Sequence, residues 1–248
     1  MKNLHLSAIP TTPKETKSKD ETKMESEILI KSLREIQEKL YAQHKYCLLI
    51  ILQGLDTSGK DNAVKNVFFG LNPSGTNVYS YKVPTPIEQD HHFLWRISKN
   101  CPSKGMISIF NRSHYEDIVV PKINNSLSSK ALKNRVDSIN QFEKDLKENN
   151  TIIVKFYIHI SHEEQCKRLE ERKVDPNKKW KYAKDDHIEK KEYTEYLNAF
   201  EFVIDHCNYI PWHVVAGDKK WYKNYSILKE IVKQLKEYEI EFPADNQH

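Results

Sequence analysis

The sequence predicts an α/β fold in three layers, a mostly parallel sheet with helices on both faces. Three observations predict it. Short apolar runs of strand length alternate along the chain with segments of helical spacing. The most continuous of those runs, CLLIILQ (47–53), suits a strand covered on both faces. Directly after it comes GLDTSGK, Gly54 to Lys60, a G-x-x-x-x-G-K turn between that strand and a helix.

The elements follow in order. Residues 1–22 are expected to form an extended or mobile leader, rich in Lys, Thr and Pro, ahead of a single domain over 23–248. Ile28, Leu29, Leu33, Ile36 and Leu40 recur at helical spacing between Met24 and His44. After the turn at Gly54, a helix begins near Lys60. Strands are expected at VYSYKV (78–83), MISIF (106–110), IIVKFYIHI (152–160) and HVVAG (213–217). Helical patterns occupy 88–100, 134–149 and 222–238. Residues 167–191 interrupt this rhythm with ten Lys or Arg against six Asp or Glu, the composition of a lid or of two solvated helices around Asp175–Pro176.

Composition narrows the class. With 38% hydrophobic and 30% charged residues, the chain can build a core under a strongly charged surface. Four of its six glycines fall between Gly54 and Gly75, where backbone must approach something closely. Four dispersed cysteines without a C-x-x-C pair argue against a disulfide framework or zinc site and for a reducing cytoplasm. No apolar run is long enough to cross a bilayer. A net charge of +4 does not mark a nucleic-acid binder, and few aromatics sit among the lysines of 167–191 for base stacking.

The turn at Gly54–Lys60 leaves backbone N–H groups pointing one way at a helix start, an anion site to which Lys60 adds a point charge. Two features are unusual. Asp61 occupies the position where a hydroxyl normally binds magnesium, and Asp56 lies inside the loop. A carboxylate beside phosphates is favourable only with a cation between them, so Asp56 is expected to face a metal and Asp61 to support the helix end. Magnesium, hard and oxygen-seeking, is the expected ion, with manganese as substitute. MISIF runs into Asn111 where an acid is common, then Arg112, suited to clamping phosphate; His114, Glu116 and Asp117 cluster beyond. Asp90, His91, His92 and Arg96 are polar groups on the helix expected at 88–100.

LQGLDTSGKD, PTPIEQDHHFLWR, IFNRSHYED, INQFE, RLEERKVDPNKKWK and PWHVVAGDKKWY, in that order over about 33–235, resemble the second family of polyphosphate kinases. That resemblance implies a phosphate-loop kinase-like fold with a helical lid over about 167–192. It also implies reversible phosphoryl transfer between inorganic polyphosphate and AMP or ADP with magnesium. Asp56, Lys60 and Arg112 are then the catalytic set. Gly54, Thr57, Ser58, Gly59, Lys122, Arg168, Arg172, Lys178, Lys179 and Lys181 complete the phosphate-binding set, and Asp90, Arg96, Glu116 and Asp117 face the nucleotide. Glu116, in N-R-S-H-Y-E, resembles the group accepting both AMP and ADP; the family also suggests a homo-oligomer. The chain departs from the family's pattern at Asn62 for a glycine, at His92 for an acid, and at Lys190 and Tyr193 in the lid. An ATP-dependent nucleotide kinase and a non-catalytic polyphosphate or RNA binder are the alternative classes.

Overall fold

Leu48, Ile50 and Leu52 point to one side of the first strand and Leu49 and Ile51 to the other, and all five are fully buried. A strand apolar on both faces needs a layer on each side. In the computed structural model, which describes residues 4–13, 17–176, 179–181 and 190–244, both layers are present. The sheet comprises β1 (Cys47–Gly54), β2 (Thr76–Ser80), β3 (Ile107–Asn111), β4 (Thr151–His159) and β5 (Trp212–Ala216). Its order is β2-β3-β1-β4-β5, and every neighbouring pair is parallel.

One face is covered by α1 (Lys19–Gln43), α2 (Lys60–Val67) and α9 (Lys220–Leu235). The other is covered mainly by α5 (Glu116–Ile123), α6 (Ser129–Glu148) and α8 (Lys190–His206). A Ser18–Glu21 capping box starts α1. Because the chain leaves β1 in one direction for β2 and β3 and in the other for β4 and β5, a crevice opens beyond the carboxyl end of β1. That is where the Gly54–Lys60 turn lies.

Two expectations need correction. The leader does not trail free over residues 4–13. Leu6 is fully buried, the Leu6 N–H donates to Glu201 at 2.7 Å, and the Thr11 hydroxyl donates to Asp218 at 2.7 Å. Its few apolar residues find a site on the α8 layer that composition cannot reveal. The single helix expected over 88–100 is two short ones, α3 (Pro86–Gln89) and α4 (Trp95–Ser98). A Thr85–Glu88 capping box and Pro86 start α3, which buries nothing, and the chain then turns to bring Arg96 and Ile97 inside. Between β4 and α8, α7 (His162–Val174) stops before Asp175–Pro176, because the residue preceding proline avoids helical geometry.

One polar group sits deep in the second layer. Lys155, in the middle of β4, donates to Glu143 (2.8 Å), to the Tyr115 hydroxyl (2.8 Å) and to the Cys207 carbonyl (2.9 Å). The Tyr115 hydroxyl in turn donates to Glu143.

Candidate functional site

The turn after β1 is shaped by residues that can take left-handed backbone. Gly59 has φ 92°, and Thr57 adopts φ 59° despite its branched side chain. At Gly54 a Cβ would meet the Ile158 carbonyl at 2.6 Å, so only glycine lets the loop lie this close to β4.

Lys60 begins α2 but points back into the loop. Its ammonium donates to the carbonyls of Gly54 (2.7 Å) and Leu55 (2.9 Å) and reaches the Ser58 hydroxyl at 3.4 Å. Burial, and then the charge of Arg112, push its pKa down to about 8. Asp56 is half-exposed at the loop tip. Arg172 of α7 binds it with two guanidinium nitrogens, at 2.7 and 3.4 Å, and Arg112 stands 4.0 Å away. Burial pushes the Asp56 carboxyl up, but Arg172 and Lys60 more than reverse this and hold it below the ordinary range.

Arg168 does something different from Arg172, one turn away. Its five N–H groups reach Glu164 (2.8 Å), Thr57 O (3.0 Å), Ser58 O (3.1 Å), Gly217 O (2.8 Å) and Asp218 O (3.1 Å). This expected phosphate ligand is buried and fully engaged with the protein, so it ties the loop to the end of β5. Lys223 of α9, which sequence reasoning missed, acts from behind. It donates to Gly59 O (2.6 Å) and to Asn62 Oδ1 (3.2 Å), and Asn62 also accepts from Asn224 at 3.2 Å. Burial, with Arg168 and Lys220 nearby, lowers the Lys223 pKa to about 7. The Asn62 departure is thus part of a contact between α2 and α9. Asp61 and Asn111 also prove to be one feature, since the Asn111 amide donates to Asp61 at 2.7 Å.

Two clefts meet at Asp56. One, of about 170 Å³, is lined by Thr57, Gly59, Lys60, Asp61, Arg172 and Lys220. The other, of about 240 Å³, is lined by Arg112, Glu116, Gln165, Tyr193, Tyr196 and Phe200. Arg112 has φ 64°, a left-handed turn that directs the chain from β3 into α5. Burial raises the Glu116 carboxyl pKa against the pull of Arg112 and Lys60. Beyond it, Arg96 and Asp117 meet at 3.5 Å and line a third pocket of about 490 Å³ with His92, Phe93 and Arg135. Arg135, also missed, lies 5.1 Å from the Phe93 ring. Two of the three unassigned cations, Lys220 and Lys223, stand three residues apart in the DKKWYK stretch, a helical spacing that was the available signal.

Other expected residues lie apart. Lys122 stacks over the Phe202 ring at 4.4 Å and lines none of the three pockets. Asp90 caps α3 and lines none of the three pockets. Lys179 is exposed in a 3-10 turn; Lys178 and the Lys181 side chain lie outside the described residues.

Magnesium is tested by the oxygens available. Arg172 occupies two of the lone-pair positions of Asp56 and leaves others, and Thr57 Oγ1 and Gln165 Oε1 are buried without partners beside it. No group of three or more His, Cys, Asp or Glu side chains could hold an ion among the described residues. One carboxylate with neutral oxygens fits a hard cation that is carried in part by its phosphate ligands.

The sequence of residues 16–243, which carries this loop and these clefts, matches a family described as Polyphosphate kinase 2 (PPK2). The chain belongs to the polyphosphate kinase 2 family. Its sequence is 38% identical over 218 residues to an AMP/ADP-polyphosphate phosphotransferase of Meiothermus ruber, covering 87% of this chain and 82% of that one. It is 32% identical over 228 residues to an ADP-polyphosphate phosphotransferase of Rhodopseudomonas palustris, covering 86% and 79%. Among solved structures, a polyphosphate kinase 2 from Arthrobacter aurescens superposes with a TM-score of 0.94 at 34% identity, over 100% of this chain and 90% of that one. This family member is therefore a phosphotransferase with the fold expected from its sequence. No helix among the described residues is long and apolar enough to cross a membrane.

Proposed function

We propose that this enzyme transfers phosphoryl groups between inorganic polyphosphate and AMP or ADP, with the polyphosphate in the Lys60–Lys220 cleft and the acceptor in the Arg112–Glu116 cleft. The observation that carries this is the position of Lys60, in the first cleft and beside Asp56, the residue that lines both clefts. It is a buried ammonium held only by carbonyls and a hydroxyl, with Asp56 at its mouth. Phosphate oxygens offer Lys60 stronger, charge-assisted bonds than those carbonyls do.

Lys60 and Arg112 spread the charge of the moving group, and the backbone N–H groups of Thr57 to Lys60 cradle its oxygens. Asp56 would hold magnesium, which supplies charge neutralisation between neighbouring phosphates when bound. Arg172 exchanges Asp56 for polyphosphate as the chain enters, while Arg168 and Lys223 keep the loop in shape. Arg96 and Asp117 border the pocket where the base lies. The 38% identity to a relative named for both AMP and ADP supports both acceptors.

The test is a coupled assay with magnesium and long-chain polyphosphate, offering AMP and ADP separately. Product from each acceptor is the expected result. Product from one alone would discard the dual acceptor and keep the reaction. Transfer from ATP and none from polyphosphate would overturn the proposal.

A further inference from the structure

Gln53, the residue of β1 just before Gly54 and the phosphate loop, is fully buried in an otherwise apolar strand. A buried amide needs partners, and its partners lie on the acceptor side. With the amide oriented to satisfy both ends, its oxygen accepts from the Ser113 N–H and hydroxyl, each at 3.1 Å, and its NH2 donates to Glu116 Oε1 at 2.9 Å. The adjacent Leu52 carbonyl accepts the Arg112 N–H at 3.0 Å, and the Glu116 N–H donates to Ser113 O at 3.2 Å. The end of β1 therefore holds both Arg112 and Glu116, and Gln53 is its one side-chain contact with the Glu116 carboxylate.

The geometry points to Gln53 as a positioning residue for acceptor choice, one that fixes the Glu116 carboxylate where the ribose of a monophosphate acceptor reaches it. This rests on the proposed acceptor cleft. AMP carries its phosphate directly on the ribose. Bringing that phosphate to Lys60 and Asp56 draws the ribose one phosphate deeper than ADP requires, towards Glu116 in the same cleft. A carboxylate held from behind can accept from ribose hydroxyls without first losing side-chain freedom. With ADP the ribose stays farther out and depends less on Glu116.

Gln53→Met removes both amide contacts at nearly constant length. The measurement is kcat and KM for AMP and for ADP at saturating polyphosphate, with thermal melting as the check on folding. We expect the KM for AMP to rise about tenfold, the loss of one hydrogen bond to a charged group, with kcat and the KM for ADP within about twofold. In a Glu116→Gln background the same substitution should change the AMP-to-ADP preference by less than about twofold, because its effect runs through Glu116. Gln53→Glu is the second variant: it keeps the length and the Ser113 contacts, cannot donate to an ionised Glu116, and should shift the preference the same way. Equal losses on both acceptors, or additive effects with Glu116→Gln, would overturn the inference and leave the proposed reaction standing. Absence of any polyphosphate-dependent transfer by the unsubstituted enzyme would overturn the reaction and this inference with it.

Discussion

Lys155 and Lys60 are both buried, within a few strands of each other, and their partners differ. Lys155, under the sheet, faces a carboxylate, a tyrosine hydroxyl and a carbonyl. Lys60, at the end of the sheet, faces two carbonyls and a hydroxyl. Burial lowers the pKa of both, and in Lys155 the Glu143 charge and hydrogen bond oppose it directly. A buried cation with its own carboxylate is complete. One hydrogen-bonded only to dipoles, with Asp56 and Glu116 acting from farther off, is still short of negative charge, which a phosphate would supply. The first lysine is architecture, and the second stands at the centre of the proposed site.

That contrast breaks first at Glu143. Glu143→Gln leaves the Lys155 charge buried without its carboxylate, and chemical denaturation should show a loss of about 3–5 kcal/mol. A loss below about 1 kcal/mol would mean that Tyr115 and Cys207 suffice, and the two lysines would be alike. Next come Lys60→Ala and Asp56→Asn, each expected to lower turnover by about 10²–10³, or roughly 3–4 kcal/mol of barrier. Lys60→Ala should remain as stable as the unsubstituted protein or become more so, since it removes an incompletely compensated charge. Near-normal turnover by Asp56→Asn at saturating magnesium would remove its metal role.

A pH series sharpens the comparison further. Lys60 has a folded pKa of about 8 against an unfolded value of 10.5. Below pH 8 it is charged in both states and the burial penalty is fully present. Between pH 8 and 10.5 the unfolded chain keeps a proton that the folded one releases, so the contribution of Lys60 to stability rises with pH. Relative to Lys60→Ala, the unsubstituted protein should gain up to about 1.4 kcal/mol per pH unit across that window. A flat difference would show that Lys60 titrates normally. Smallest is Arg172→Ala: its ion pair with the half-exposed Asp56 should matter to stability by less than about 1 kcal/mol, while the KM for polyphosphate rises. A larger stability loss would put Arg172 with Arg168 as a structural strut.

Arg168 and Arg172 also show where reading the sequence stops. Both are one helical turn apart in a basic segment, and both were expected to bind polyanion. Burial and partners separate them: the Arg168 side chain is 6% exposed and engaged with loop carbonyls, whereas that of Arg172 is 19% exposed and held by Asp56. β1, β3 and β4 were legible because apolar runs record burial on two faces, and the half-exposed β2 and β5 because of their β-branched and aromatic residues, although β2 starts two residues early and the helix at 88–100 breaks. Lys155 passed unnoticed inside IIVKFYIHI because its carboxylate partner comes from another element. Gln53 was quoted as part of a motif and given no role, since its partners lie 60 and more residues away.

The sequence by itself determined what is local in its physics. Period-two and helical spacing set the layers, glycines set the left-handed turn, and the lysine after Gly59 set the anion site. The tertiary structure decided which charges have partners. Asp56 meets Arg172 across 116 residues and Thr57 meets Arg168 across 111. An isolated charge costs little in the unfolded chain, where water surrounds it. It acquires a role only when folding removes that water and leaves either a carboxylate or an open cleft in its place.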